Sequence, residues 1–351
     1  MHMADALLSP AVGAAMWAVT AATTVYCSTK LKNNLDDRKI PLMGVLAAFV
    51  FAAQMINFTI PGTGSSGHLG GGLLLAVLLG PRAAFLAIAS VLTVQALFFA
   101  DGGLLALGGN IFHMGFIPCF LAYPLIYRKI VTAHPSQGRL LTGSLLAAVI
   151  GLQLGAFGVV LETTLSGISE LPFTTFVLMM QPIHLAIGIV EGLVTAGIIS
   201  FIWKARPEIL AKAATDQPLG SLALKPVLIT VALATLCTGG FLSWFASEHP
   251  DGLEWSMLKV SGQAEPAAPG EAGVHQALEG LQQKTALMPD YGFKADSARP
   301  PAGSPKITTS LAGLYGGLFV LFLTILIGLG LKKLGAARAT RQPQPQPHRH
   351  P

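Results

Sequence analysis

Apolar runs long enough to cross a bilayer recur along the whole chain, and a segment in hydrocarbon must satisfy its own backbone hydrogen bonds. The runs cover 7–29, 41–58, 69–80, 83–100, 110–127, 139–162, 173–203, 226–246 and 309–331. The third is too short for a perpendicular crossing, and the seventh is long enough to tilt. Of the 351 residues 52% are hydrophobic and only 11% charged, too few charges to cover a soluble surface of this size. The expected fold class is therefore an all-α polytopic membrane protein, with membrane lipid as the solvent of most of it.

The net charge of +5 does not point to nucleic acid, because the basic residues sit at segment ends instead of forming one face. Lys30, Lys32, Arg38 and Lys39 follow the first run, and Arg82 the third. Arg128, Lys129 and Arg139 follow the fifth, Lys204 and Arg206 the seventh, and Lys332 and Lys333 the last. With alternating spans all of them fall on one side, which the positive-inside rule makes the cytoplasm. Met1 and the loops 59–68, 101–109 and 163–172, which lack Lys and Arg, then face outward. No basic residue precedes the first run and Asp5 stands there, so no secretory signal is expected and the N-terminus is expected to survive. Cys27, Cys119 and Cys237 lie far apart in or beside apolar runs, which reads as buried, inert thiols.

Composition divides the chain once. Residues 1–203 carry seven runs, 204–225 read as a cytoplasmic linker, and 226–331 hold two runs around the outward segment 247–308. That segment shows no strong periodicity and is expected to be a small or partly ordered module. Residues 332–351, ending in QPQPQPHRHP, are expected to be a disordered cytoplasmic tail.

The start Met1-His2 is a compact chelator. The N-terminal amine and the deprotonated His2 amide close a five-membered ring on a metal, and the amide with the near imidazole nitrogen closes a six-membered one. Three coplanar nitrogens suit Ni(II) or Cu(II) better than tetrahedral Zn(II). A fourth nitrogen on the same outward face is offered by His68, in the glycine-rich loop PGTGSSGHLGGG. Ser65 and Ser66 stand close enough in sequence to orient its imidazole. The alternative is a chance histidine after the initiator and a solvated loop histidine.

The strings MHMADALLSP, AAQMINFTIPGTGSSGHLGGGLLLAVLLGP and FFADGGLLALGGNIFHMG resemble the substrate-capture (S) component of cobalt and nickel energy-coupling-factor transporters, the CbiM/NikM family. The resemblance covers about residues 1–203. It implies a seven-helix core whose outward N-terminus offers the metal the Met1 amine and the His2 amide and imidazole, with His68 as fourth ligand. Pro250-Asp251-Gly252-Leu253-Glu254 resembles the PDGLE signature of the small two-span CbiN/NikN subunit, here fused and adding two C-terminal helices. The resemblance further implies a separate transmembrane coupling (T) subunit and a pair of ATP-binding cassette ATPases. The metal would be Ni(II) or Co(II) as transported substrate, with no cofactor of the chain's own, in the cell inner membrane. The fusion favours nickel; cobalt uptake for cobalamin biosynthesis is the alternative. No GxxxxGK[ST] loop occurs, so no ATP hydrolysis is expected of this chain. The absence of HExxH argues against the rival reading, an intramembrane metalloenzyme.

Other polar residues in or beside apolar runs are candidates because burying them is costly. Asn57, Asp101 and Asn110 are expected to order the binding loops or line the metal path, as is Gln54, or else simply to cap helices. His113 stands where the family more often has Asn, either lining the path or as a tolerated substitution. His184 and Glu191 share one helical face, and Glu162 is read as interfacial. Ala11, Ala14, Ala15 and Ala18 form a small-residue stripe, for docking on the coupling subunit or for packing within the core.

Overall fold

The computed structural model describes residues 2–32, 35–132, 135–169, 171–264, 273–294 and 305–339. Ser9 starts the first helix: its hydroxyl accepts from the Val12 amide, and Pro10 takes the first helical position, where no amide hydrogen is needed. The helices in chain order are α1 (Pro10–Leu31), α2 (Lys39–Gln54) and α3 (Gly72–Leu79). Then come α4 (Pro81–Val94, continued by a π turn Gln95–Phe99) and α5 (Leu107–Ile130). They are followed by α6 (Gln137–Ser166), α7 (Phe173–Ala205), α8 (Pro207–Ala214), α9 (Lys225–Gly240), α10 (Gly252–Ser261), α11 (Val274–Thr285) and α12 (Pro305–Ala339). Much of α5 is wound as a π-helix from Phe112 to Tyr127, where Pro118 and Pro124 remove amide donors from the ordinary ladder.

Among the described residues six helices are long and apolar enough to cross a membrane: α1, α4 with its π turn, α5, α6, α7 and α12. The apolar helices α2 and α9 have 16 residues each. The run expected at 69–80 folds as the 8-residue α3, and every one of its residues is buried. At eight residues it rises only about 12 Å, too little to cross the hydrocarbon, and its burial places it inside the bundle.

Glycine sets how closely α6 and α7 approach. A Cβ on Gly192 would come within 2.6 Å of the Leu145 Cα, and one on Gly188 within 2.9 Å of the Val149 Cα. Without a hydrophobic drive between helices in lipid, such close backbone contact supplies the packing. The last helix lies against α2, with Gly316 on the Phe51 ring and Gly44 beneath Leu321 and Ile325.

Four expectations need correction. The loop after α2 contains a short antiparallel hairpin, β1 (Phe58–Ile60) with β2 (Ser65–Gly67), paired Phe58 to Gly67 and Ile60 to Ser65. Among its described residues the segment 247–308 holds two helices, α10, opened by the Asp251–Glu254 capping box, and α11, which is amphipathic but largely polar. The last helix continues through 332–339, a stretch expected to be tail, because Lys332 pairs with Asp37 and Gly335 packs on the Lys32 carbonyl. Cys27 and Cys119 are buried, but Cys237 is exposed on α9, since in lipid the outward face of a helix is as apolar as its packed face. Residues 340–351, His134 and Met1 lie outside the described residues.

Candidate metal centre

The N-terminal strand threads into the protein instead of lying on it. Met3, Leu7 and Leu8 are fully buried in one apolar cluster with Leu105, Val159, Phe176, Leu253 and Met257. Asn110 clamps the strand from both sides: its Oδ1 accepts from the Met3 amide at 2.8 Å and its Nδ2 donates to the Met3 carbonyl at 3.2 Å. The Gly103 amide donates to the same carbonyl at 2.9 Å, and Asp5 Oδ1 accepts from the Ala106 amide at 2.9 Å. The DGGLLALGGN loop needs its glycines for this. A Cβ on Gly103 would sit 1.9 Å from Asp5 Oδ1, and Gly102 has φ +80 and lies under the His2 Cβ.

This threading sets the His2 ring against the His68 ring, with centroids 5.0 Å apart and planes 18° from parallel. His68 stands just after β2 and is 8% exposed, and its Nδ1 lies 3.1 Å from the Leu69 carbonyl. A carbonyl can only accept, so Nδ1 carries the proton and Nε2 carries the lone pair. Burial, above all, holds both imidazoles down to about 3, so they are neutral ligands at physiological pH.

The tautomer of His2 follows from a relay of two amides. The Gly70 carbonyl accepts from Gln54 Nε2 at 2.8 Å, which turns Gln54 Oε1 toward Gln95 Nε2 at 2.9 Å. Gln95 Oε1 is left facing His2 Nε2 at 3.2 Å, so that nitrogen must be the N–H. His2 Nδ1, the near nitrogen of the expected chelate, then holds its lone pair 3.2 Å from Asp101 Oδ1. Two acceptors facing each other call for a proton or a cation between them. Burial pushes the Asp101 carboxyl up, against the hydrogen bond that Tyr291 donates to its Oδ2 at 2.5 Å.

The PDGLE motif closes this site. Asp251 caps α10, accepting from the Leu253 amide at 2.7 Å and the Glu254 amide at 2.9 Å, while Glu254 accepts from the Asp251 amide at 2.9 Å. Gly252 is required because a Cβ there would meet Ile183 at 2.7 Å and His184 at 3.1 Å. Leu253 is 1% exposed and joins the cluster around Met3. Asp251 thereby borders both the vestibule of about 510 Å³ that holds His2 and Asp101 and a small cavity beside His68. Its place here, with that of Tyr291, Gln95 and Gln54, needed contacts between segments far apart in the chain.

Several site expectations come out differently. The hydroxyls of Ser65 and Ser66 do not serve the imidazole of His68. Ser66 Oγ donates to the His249 carbonyl at 2.7 Å, its amide donates to the Pro250 carbonyl at 2.8 Å, and Ser65 Oγ turns to the Ser66 carbonyl at 3.2 Å. Asn57 does not reach the metal centre but accepts the Ser247 amide through its carbonyl at 2.7 Å. Thus the hairpin is latched to the PDGLE segment. His113 Nε2 lies 2.7 Å from Glu162 Oε1, and Glu162, 7% exposed, is paired inside the protein. Glu191 accepts the Gly70 and Gly71 amides at 2.9 and 3.1 Å, which holds the His68 loop from beneath. His275 has a contact that the sequence did not suggest, with Nε2 2.8 Å from the Leu8 carbonyl. Ala11, Ala14, Ala15 and Ala18 are all exposed. Among the described residues no three His, Cys, Asp or Glu side chains converge on a metal position, so a tight site here needs main-chain nitrogens as well.

The family described as cobalt uptake substrate-specific transmembrane region (CbiM) matches residues 2–209, and the PDGLE domain matches 225–333. The chain belongs to the CbiM family. A chain of Archaeoglobus fulgidus, provisionally named a fused nickel transport protein NikMN, is 32% identical over 333 residues, 92% of this chain and 96% of that one. The fused nickel transport protein NikMN of Rhodobacter capsulatus is 32% identical over 314 residues, 83% and 88% of the two chains. The solved structure of a truncated transition metal transporter superposes with a TM-score of 0.52 at 30% identity, covering 58% of this chain and 99% of its own. A CbiM-family chain with these apolar helices is a multi-pass membrane protein and a component of a metal transporter.

Proposed function

We propose that this CbiM-family chain is the substrate-capture subunit of an energy-coupling-factor importer for Ni(II) or Co(II). The metal is held by the Met1 amine, the His2 amide and Nδ1, and His68. The observation that carries this is the amide relay from Gly70 through Gln54 and Gln95. It protonates His2 at Nε2 and reserves the chelating Nδ1 for a cation. A ligating histidine held by a second hydrogen bond at its other nitrogen is the usual arrangement of a metal site.

Residues 1–203 form the capture core and 226–331 the fused CbiN/NikN-like segment, joined by 204–225. The N-terminus faces outward in the inner membrane and the C-terminus lies in the cytoplasm. The exposed alanine stripe of α1 receives the coupling subunit, and a pair of ATPases supplies the energy that this chain does not. The chain carries no catalytic function of its own. Nickel is the first choice of cargo, supported by the names of the fused relatives.

The test is binding of Ni(II) and Co(II) to the purified full chain, by calorimetry and visible absorption, with the native start and with Gly-Ser placed before Met1. The extension keeps every side chain but moves the amine. Loss of tight binding and of the yellow square-planar Ni(II) spectrum is expected, and the ion bound more tightly names the cargo. Unchanged binding overturns the N-terminal chelate.

A further inference from the structure

Beside the capture site lies a histidine whose ring nitrogens none of the contacts above uses. His184, on α7, is fully buried, and its Nδ1 lies 2.8 Å from the Met180 carbonyl. That carbonyl can only accept, so the ring proton is on Nδ1 and the lone pair on Nε2. Among the described residues Nε2 has no hydrogen-bond partner. A buried polar atom left unpaired costs roughly 1–3 kcal/mol, so such an atom in a native core asks for a reason. The second nitrogen tied to a backbone carbonyl is the arrangement that fixes an imidazole as a metal ligand.

The surroundings point to the same use. His184 borders a cavity of about 20 Å³ together with His68, Asp251 and Met114. That is room for about one water or one ion. A second cavity, of about 30 Å³, lies on the other side of Met114 and Leu152 and is bordered by His113 and Glu191. Imidazole, thioether and carboxylate groups thus line two successive cavities that lead from the capture loop into the helix bundle. His113 pairs with Glu162, and Glu191 holds the Gly70 and Gly71 amides, but His184 Nε2 is a polar atom buried at cost with no such use. Thioether and imidazole are donors that late transition metals accept and alkali or alkaline-earth ions do not favour.

We propose that His184 is a transit ligand for the captured metal. When the N-terminal strand withdraws, the ion exchanges its main-chain nitrogens for His184 Nε2 while His68 still holds it. It then sits in the inner cavity beside Met114 on its way inward. With few protein donors this station is weak, as a site that must release its ion has to be.

This inference rests on the capture reading, and the test separates the two. Co(II) is titrated into the purified full chain with His2→Ala, then with His2→Ala combined with His184→Gln or with His184→Cys, each against a chromophoric chelator. His2→Ala is expected to remove the tight site and to leave a residual one at least a hundredfold weaker. His184→Gln then lowers residual affinity tenfold or more, while His184→Cys retains it and adds a near-ultraviolet cobalt–thiolate band. No residual site, a residual affinity that His184→Gln leaves within twofold, or absence of the band in the His184→Cys protein overturns the transit ligand. Wild-type affinity in the His2→Ala chain overturns the capture reading instead.

Discussion

The rings of His2 and His68 stack at 5.0 Å with their planes 18° apart, although they stand 66 positions apart in sequence, with α1, α2 and the β1–β2 hairpin between them. Two imidazoles this close are near enough for one nitrogen of each to serve a single ion. Their tautomers are set by Gln95 and by the Leu69 carbonyl.

If Gln95 fixes the His2 tautomer, Gln95→Leu lowers Ni(II) affinity by about 10- to 100-fold, the usual effect of losing an outer partner of a metal-bound histidine. Gln54→Leu acts in the same direction but less, since it only orients Gln95. Competition titrations on both variants check this; equal affinity in Gln95→Leu and wild type rules the relay out.

Gly103→Ala has a specific consequence, because its Cβ would collide with Asp5 Oδ1 at 1.9 Å. The N-terminal strand is displaced while the helices beneath keep their packing. Thermal unfolding in detergent is expected to change little, and Ni(II) binding to fall at least tenfold. A large drop in the unfolding midpoint would mean that the strand is part of the global core.

The pair His113–Glu162 is buried on both sides. Removing one partner strands the other in low dielectric, at a cost of about 3–5 kcal/mol. Glu162→Leu is therefore expected to lower stability strongly. The double variant Glu162→Leu with His113→Leu recovers most of the loss. Denaturation of wild type, Glu162→Leu, His113→Leu and the double variant closes the cycle, and additive losses would show that the two side chains do not interact.

Burial holds His2 down to about 3, while a histidine on an undocked strand titrates near 6.5. A depressed folded value contributes stability that is present above the undocked value and is lost as pH falls toward the docked one. The docked strand is thus favoured at neutral pH and weakens progressively from about pH 6.5 down, by up to tenfold per pH unit for this one group. Hydrogen exchange of the amides of residues 3–8 in metal-free protein, corrected for intrinsic rates and followed from pH 7.5 to 5, is expected to show falling protection. A flat profile would mean that His2 does not control docking.

What the sequence alone determined is whatever depends on local composition and spacing. Hydrocarbon demands long apolar helices, so the runs at 83–100, 110–127, 139–162 and 173–203 are met by α4, α5, α6 and α7 within a few residues. The chelating potential of Met1-His2 is likewise covalent, fixed by ring sizes before any folding. Tertiary structure decided how polar groups are partnered. Ser65 and Ser66 neighbour His68 in sequence yet serve the carbonyls of a segment about 185 residues away, while Gln54 and Gln95 meet at 2.9 Å and reach His2 only through the fold. Apolar burial tolerates many arrangements and so can be read from a pattern. A hydrogen bond or a metal ligand is directional and short-ranged, and its partner exists only once distant helices have been brought to within about 3 Å.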